Sequence, residues 1–268
     1  MKTIEEFFEK LWSKYSSENP VAFDVNNALR NEGEKVINDH IAFRTFNLEF
    51  CNIDKIAGFL IENGYEEKEE YFFKEKKLHA KHYESKLDKD LPLVFISELE
   101  LEKFSPKFQK VVKDVYRSVD WEKVNYDDIL FSGLLWDNPE YEKYLVLKNE
   151  SQYAAWLYTN GFGANHFTVS INRLTKYNST SKLVEFLKGK GFALNTVGGI
   201  VKGSPVKMLE QLSTMADSKK ILFKEGEYIV PTCFYEFAYR YKDENNKEFR
   251  GFIANSADKI FESTDSEK

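Results

Sequence analysis

Two segments of this chain repeat one pattern, and the repeat limits the possible fold more than any other feature. The first begins NDHIAFRTF at 38–46, where Ile41, Phe43 and Thr45 alternate with His40, Ala42 and Arg44 as on a β-strand. It continues CNIDKIAGFLIENGY, with Ile53, Ile56, Phe59 and Leu60 at helical spacing and a stop at Asn63-Gly64. The second begins NHFTVSIN at 165–172, passes through STSKLVEFLKGKGF with Leu183, Phe186 and Leu187 spaced as in a helix, and closes at Gly191-Phe192. The copies align on an acid or amide, a histidine and an apolar residue: Asp39-His40-Ile41 against Asn165-His166-Phe167. From each histidine to the closing Tyr65 or Phe192 the interval is nearly the same, as a duplicated unit requires.

Strand-like runs follow each helix. They are YFFKEKKLHAKHY and LPLVFIS after the first, and ALNTVGGIV, YIVPTCFYEFAYRY and EFRGFIA after the second, with a helix expected at PVKMLEQLSTMA. A strand, a helix and several strands, twice over, describe an α+β chain with two similar halves. The expected submodules are 36–98 and 161–262, with a mostly helical insertion at 99–160, all in one unit, 1–268. A hydrophobic content of 42% gives that unit a core. Ser97-Glu98-Leu99-Glu100 has the form of a capping box, which places a helix start there.

Each repeat aims its histidine off the polar face of its strand, His40 beside Ala42 and Arg44, His166 beside Thr168 and Ser170. A single such histidine reads as the wet side of a sheet; two at equivalent positions point to a site. In TCFYEFAYRY, Glu236 shares a face with Phe234, Ala238 and Arg240. A carboxylate among such aromatics is costly unless it is solvated, paired or bound to a cation, and a solvent-facing strand glutamate stays open. His40, His166 and Glu236 together would form a two-histidine, one-carboxylate set, which leaves open positions on non-haem Fe(II). Arg44 lies roughly 13 Å from His40 along the strand at about 3.3 Å per residue. Its planar fork suits a bidentate grip on a carboxylate. His79 and His82 in HAKH fall on opposite faces of a strand expected at the surface. Cys51 and Cys233 have no C-x-x-C partner and read as reduced core thiols. GFGANH and VGGIVKG lack the strand-turn-helix setting of a nucleotide loop.

The formal charge of −6 argues against a nucleic-acid partner, and acidic runs such as YEEKEEY read as solvated faces. No apolar run reaches the roughly 18 to 20 residues of a membrane span. MKTIEEFFEKLW reads as an amphipathic helix rather than a secretion signal, so a cytoplasmic protein is expected, in which the NST at Asn178 carries no sugar. The oligomeric state does not follow from the sequence.

The segments DHIAFRTF, LPLVFISEL, QYAAWLYTNGFGANHFTVSIN, VKGSP with LEQLSTMAD, FYEFAYR and ADKIFEST run in order across nearly the whole chain. Together they resemble the 2-oxoadipate dioxygenase/decarboxylases, also called hydroxyglutarate synthases, whose fold is of the vicinal-oxygen-chelate, glyoxalase-like type. The resemblance implies Fe(II) held by His40, His166 and Glu236, a substrate contact at Arg44, and pocket positions at Lys202, Ser204 and Gln211. It implies a reaction of lysine catabolism in which dioxygen and a 2-oxo dicarboxylic acid combine, 2-oxoadipate giving 2-hydroxyglutarate and CO2 without a separate 2-oxoglutarate cosubstrate. Many members run further past the last segment, so a pocket wall built from less chain is expected here. One rival is a glyoxalase-type lyase or isomerase with four protein ligands, for which Glu98 is the natural fourth. The other is a protein of this fold that binds a small molecule and catalyses nothing.

Overall fold

The computed structural model describes residues 3–253. Two helices open the chain. In α1 (Ile4–Glu18) the Thr3 hydroxyl accepts the Glu6 amide, and Ile4, Phe7, Phe8, Leu11 and Tyr15 make one buried stripe. Pro20 opens α2 (Pro20–Asn31), where its missing N–H is not needed. The first repeat is then β1 (Asn38–Phe46), the short helices α3 (Ile53–Ile56) and α4 (Gly58–Glu62), β2 (Tyr65–Phe73), β3 (Leu78–Ser85) and β4 (Leu93–Leu99). Three helices follow, α5 (Pro106–Arg117), α6 (Tyr141–Glu150) and α7 (Gln152–Asn160). The second repeat is β5 (Ala164–Ser170), α8 (Thr180–Gly189), β6 (Lys202–Ser204), β7 (Leu209–Ser213), the hairpin β8 (Ser218–Phe223) and β9 (Gly226–Pro231), and β10 (Glu236–Arg240).

Eight strands make one sheet in the order β2-β3-β4-β1-β5-β10-β7-β6, and β8 and β9 pair with each other. The halves are built alike: each first strand runs parallel to its last, β1 with β4 and β5 with β10, and the other neighbours are antiparallel. β1 and β5 join the halves antiparallel. The chain therefore has the α+β architecture of two repeated modules with a helical insertion. One face of the central strands carries Ile41, Phe43, Phe167 and Val169, all buried; Trp12 and Tyr15 of α1 pack on Phe167 at 5.1 and 4.9 Å. Each such side chain removed from water is worth roughly 1.5–3 kcal/mol. The other face carries the two histidines.

Several local expectations fail for physical reasons. The helix expected at 205–216 is a 3-10 turn at Pro205–Lys207 followed by β7, separated by Met208 at φ 62°. Val206, Leu209 and Leu212 imitate helical spacing. β7, however, lies between β6 and β10, and four of its five residues are buried, which erases the alternation that marks a strand. ALNTVGGIV contributes one bridge, Leu194 to Thr214. Of EFRGFIA, residues 248–253 form a single bridge, Lys242 to Glu248; ADKIFEST and the end of the 161–262 submodule lie outside the described residues. Ser97 and Glu98 start no helix: they sit inside β4, where the Ser97 hydroxyl meets Phe43 O and the Tyr153 hydroxyl. His79 and His82 do face opposite ways, but His82 is buried rather than at the surface, because Tyr71 and Phe252 cover its side of β3. Cys51 and Cys233 are free and buried, and burial pushes both thiols up to about 12.

Candidate metal centre

The histidines meet at the seam between the repeats. In the register of β1 and β5, Ala42 pairs with His166 and His40 with Thr168, and on the far side Thr168 pairs with Glu236 of β10. Side chains of paired residues share a face, so His40, His166 and Glu236 project together. Nε2 of His166 lies 3.3 Å from Oε2 of Glu236, and Nε2 of His40 lies 3.7 Å from Oε1. One ligand atom from each of the three buried residues falls within 4.8 Å of the others. Donors sharing an ion at about 2.0–2.2 Å stand roughly 3–4 Å apart, which the two carboxylate distances match.

Each histidine follows a bulge. The register of β1 against β5 slips once at Asp39 and once at Asn165, leaving each of these residues unpaired and beside the histidine that follows it. Asp39 Oδ1 lies 2.7 Å from His40 Nδ1, and Asn165 Oδ1 lies 3.0 Å from His166 Nδ1. Both oxygens accept, so both histidines carry their proton on Nδ1 and present a bare Nε2 to the centre. Burial lowers the pKa of each histidine, His166 the more strongly, which favours the neutral ring a metal requires. Thr168 Oγ1 stands 3.1 Å from His40 Nε2.

Arg240 braces this arrangement from β10. Its Nε and Nη2 donate to the two oxygens of Asp39 at 2.8 and 2.9 Å, and its Nη1 donates to Gly251 O at 2.8 Å. Burial alone would push the Asp39 carboxyl up; Arg240 and His40 outweigh it and hold the group well below the usual carboxylate range. Glu236 is the opposite case. Burial pushes it up to about 8, against the Gln211 amide, whose Nε2 donates to Oε1 at 2.5 Å, and the charges of Arg240 and Lys202. Two neutral histidines with bare nitrogens and a buried carboxylate short of positive charge are a donor set that fits a divalent cation.

Of the other residues singled out from the sequence, Arg44 is buried between the rings of Tyr153 and Trp156 on α7, its guanidinium carbon 4.9 Å from each centroid. Burial brings its pKa down to about 10, so it stays charged at neutral pH. It forms part of the wall of a cavity of about 330 Å³ that Lys76, Lys77, Lys148 and Tyr153 also line. Gln211 reaches the centre through Glu236. Lys202 Nζ donates to Asn195 O at 2.7 Å and Ile200 O at 3.4 Å while its charge acts on Glu236. Ser204 stands apart from the triad, its hydroxyl accepting the Lys207 amide at 3.4 Å in the turn after β6. Glu98 lies on the opposite face, taking the Ile53 amide at 2.9 Å at the start of α3 and the His79 ring at 3.1 Å, so it is no fourth ligand. Sequence reasoning missed Asp39, Asn165, Thr168 and Arg240. The acid-or-amide before each histidine was the available signal, although nothing in the spacing showed a bulge.

Residues 5–124 and 128–242 match the family model of the 2-oxoadipate dioxygenase/decarboxylases. The chloroplastic/amyloplastic 2-oxoadipate dioxygenase/decarboxylase of Oryza sativa subsp. japonica is 35% identical over 295 residues, spanning 100% of this chain and 81% of that protein. The crystal structure of the Oryza sativa hydroxyglutarate synthase in complex with 2-oxoadipate is 34% identical with a TM-score of 0.89, over 97% of this chain and 93% of that one. A Ralstonia eutropha JMP134 protein described as glyoxalase-superfamily, 21% identical with a TM-score of 0.75 over 90% of this chain and 83% of that one, shares the fold. The chain thus belongs to the 2-oxoadipate dioxygenase/decarboxylase family, on a vicinal-oxygen-chelate-like fold.

Proposed function

We propose that this protein is an Fe(II)-dependent dioxygenase that converts 2-oxoadipate to 2-hydroxyglutarate and CO2. The observation that carries the reading is the buried convergence of His40, His166 and Glu236, with the Nδ1 of each histidine engaged by its neighbour and each Nε2 turned to the centre, in a chain of this family. Fe(II) on these three residues would supply the open positions and the redox chemistry for a 2-oxo acid and dioxygen. The protein's part is to hold and to select. Asp39 and Asn165 fix the tautomer and direction of the two imidazoles, and Gln211 fixes one oxygen of Glu236. Arg44 takes the distal carboxylate of the substrate in its fork; the rings of Tyr153 and Trp156 keep water off the guanidinium, which strengthens its attraction for an anion. Lys202 lowers the cost of the negative charge on Glu236. The Ser204 hydroxyl is engaged with the Lys207 amide in its own turn.

The test is anaerobic loading with Fe(II), followed by dioxygen uptake and CO2 release against a panel of 2-oxo acids. Uptake matched by CO2 and 2-hydroxyglutarate is expected with 2-oxoadipate, with weaker turnover of monocarboxylic 2-oxo acids. Absence of substrate-dependent uptake in protein shown to contain iron overturns the proposal.

A further inference from the structure

The strand registers give the centre a two-fold symmetry that its side chains break. In one row, Glu236 pairs with Thr168 and Thr168 with His40, crossing β10, β5 and β1. In the other, Phe95 pairs with Ala42 and Ala42 with His166, crossing β4, β1 and β5. The outer pairing of each row is parallel and the inner one antiparallel, and each row ends on a histidine that follows a bulge. Phe95 therefore stands in the first repeat where Glu236 stands in the second. The next strands outward keep the correspondence, Ser213 beside Glu236 and His82 beside Phe95.

Phe95 is buried, its ring 4.9 Å from that of Phe252, and Phe252 stands edge-on to His40 at 4.8 Å and 90°. The side of the centre across from Glu236 is thus aromatic. His82, beside Phe95 on β3, is drawn away by the Tyr71 hydroxyl at 2.8 Å from its Nδ1 and by Glu84 at 3.4 Å from its Nε2.

We propose that Phe95 is a specificity-determining residue: it fills the place of a fourth protein ligand and so keeps the centre at three. The inference rests on the metal-centre reading above. Three protein ligands leave an octahedral ion room for an acid that chelates through two atoms and for one further molecule, whereas a fourth removes the last of these positions. An aromatic wall also brings no second negative charge beside Glu236, so the ion keeps more of its charge for an anionic substrate. On this account, Phe95 keeps one position open beside a chelated acid and sets no charge against that acid.

The experiment compares the whole wild-type protein with Phe95→His, Phe95→Glu and Phe95→Leu. Zn(II), which is redox-inert, is titrated by chelator competition, and 2-oxoadipate binding to the Zn(II)-loaded proteins is followed by calorimetry. Phe95→His and Phe95→Glu should bind Zn(II) at least about 10-fold tighter, the lower end of what even indirect ligand support is worth. Loaded Phe95→Glu, which adds a negative charge, should bind 2-oxoadipate at least about 10-fold more weakly, whereas loaded Phe95→His, which still leaves two positions for the chelate, should bind it nearly as the wild type does. Phe95→Leu should hold Zn(II) as the wild type does. Should Phe95→Glu be unfolded without metal, the same proposal requires Zn(II) to raise its melting temperature by more than it raises the wild type's. Folded donor variants with no gain in Zn(II) affinity, or a Phe95→Glu protein that gains affinity yet binds 2-oxoadipate unchanged, overturn the inference. A wild-type protein that binds no Zn(II), or binds it equally after His40→Ala, instead brings down the metal-centre reading and the inference with it.

Discussion

At Arg44 the sequence and the structure ask the same question, why one strand face holds an imidazole and a guanidinium. If Arg44 grips the far carboxylate of a dicarboxylic acid, Arg44→Ala loses a charge-assisted contact worth roughly 2–5 kcal/mol. That is about 30-fold to several thousand-fold in kcat/KM for 2-oxoadipate. Monocarboxylic 2-oxo acids should lose far less, and iron content should not change. Arg44→Lys should restore part of the loss, since it keeps the charge without the fork. Steady-state kinetics on both substrate classes check this; equal losses would make Arg44 a support for Tyr153 and Trp156 only. Asp39 makes a second residue-scale case. Its carboxylate serves both Arg240 and His40, so Asp39→Asn should weaken metal binding by roughly 10- to 100-fold. Chelator competition measures that loss, and an unchanged affinity would show that the imidazole needs no such brace.

Among the elements, the loop after β5 depends on one carboxylate. Glu34, buried just past α2, accepts the amides of Thr175, Lys176 and Tyr177 at 2.7, 2.6 and 3.1 Å and the Thr175 hydroxyl at 2.8 Å. Burial pushes its pKa up, but these donors outweigh it and leave the group below its ordinary value. A lowered folded-state pKa means stability that is present above the unfolded value, about 4.3, and is lost as pH falls through the folded one. Glu34→Gln should therefore cost roughly 1–3 kcal/mol at neutral pH, with the gap to wild type closing in acid. Urea unfolding of both proteins across that range is the check; a gap that does not depend on pH would contradict it. The repeat was legible because apolar Ile41, Phe43, Phe167 and Val169 alternate with His40, Arg44, His166 and Thr168 in sequence, although both faces of these strands are buried. β7 was misread as a helix because burial on both sides removes the period, and the long helix of the first repeat is two short ones divided at Ala57. The bulges at Asp39 and Asn165 could not be read, since an extra residue shows only against a partner strand. The convergence of His40, His166 and Glu236 was legible through the repeat, whereas the Arg240 brace depends on contacts across the chain.

On the scale of the whole molecule, the two halves of the sheet are joined by the β1 and β5 pairing, and every member of the candidate triad stands within one strand of that seam. Neither half holds a complete set: the first contributes His40, the second His166 and Glu236. Among the described residues no helix is long and apolar enough to cross a membrane. The Arg240 clamp reaches still further along the chain, closing the carbonyls of Phe249 and Gly251 onto the group that orients His40. This has a consequence for biosynthesis. A ribosome makes His40 early and Glu236 and Arg240 late, so a nascent chain that has released only its first repeat carries a single member of the candidate triad. The candidate set is complete only once Glu236 has emerged, and the Arg240 clamp on Asp39 gains its last carbonyl at Gly251, so any metal held there would be taken up late in synthesis.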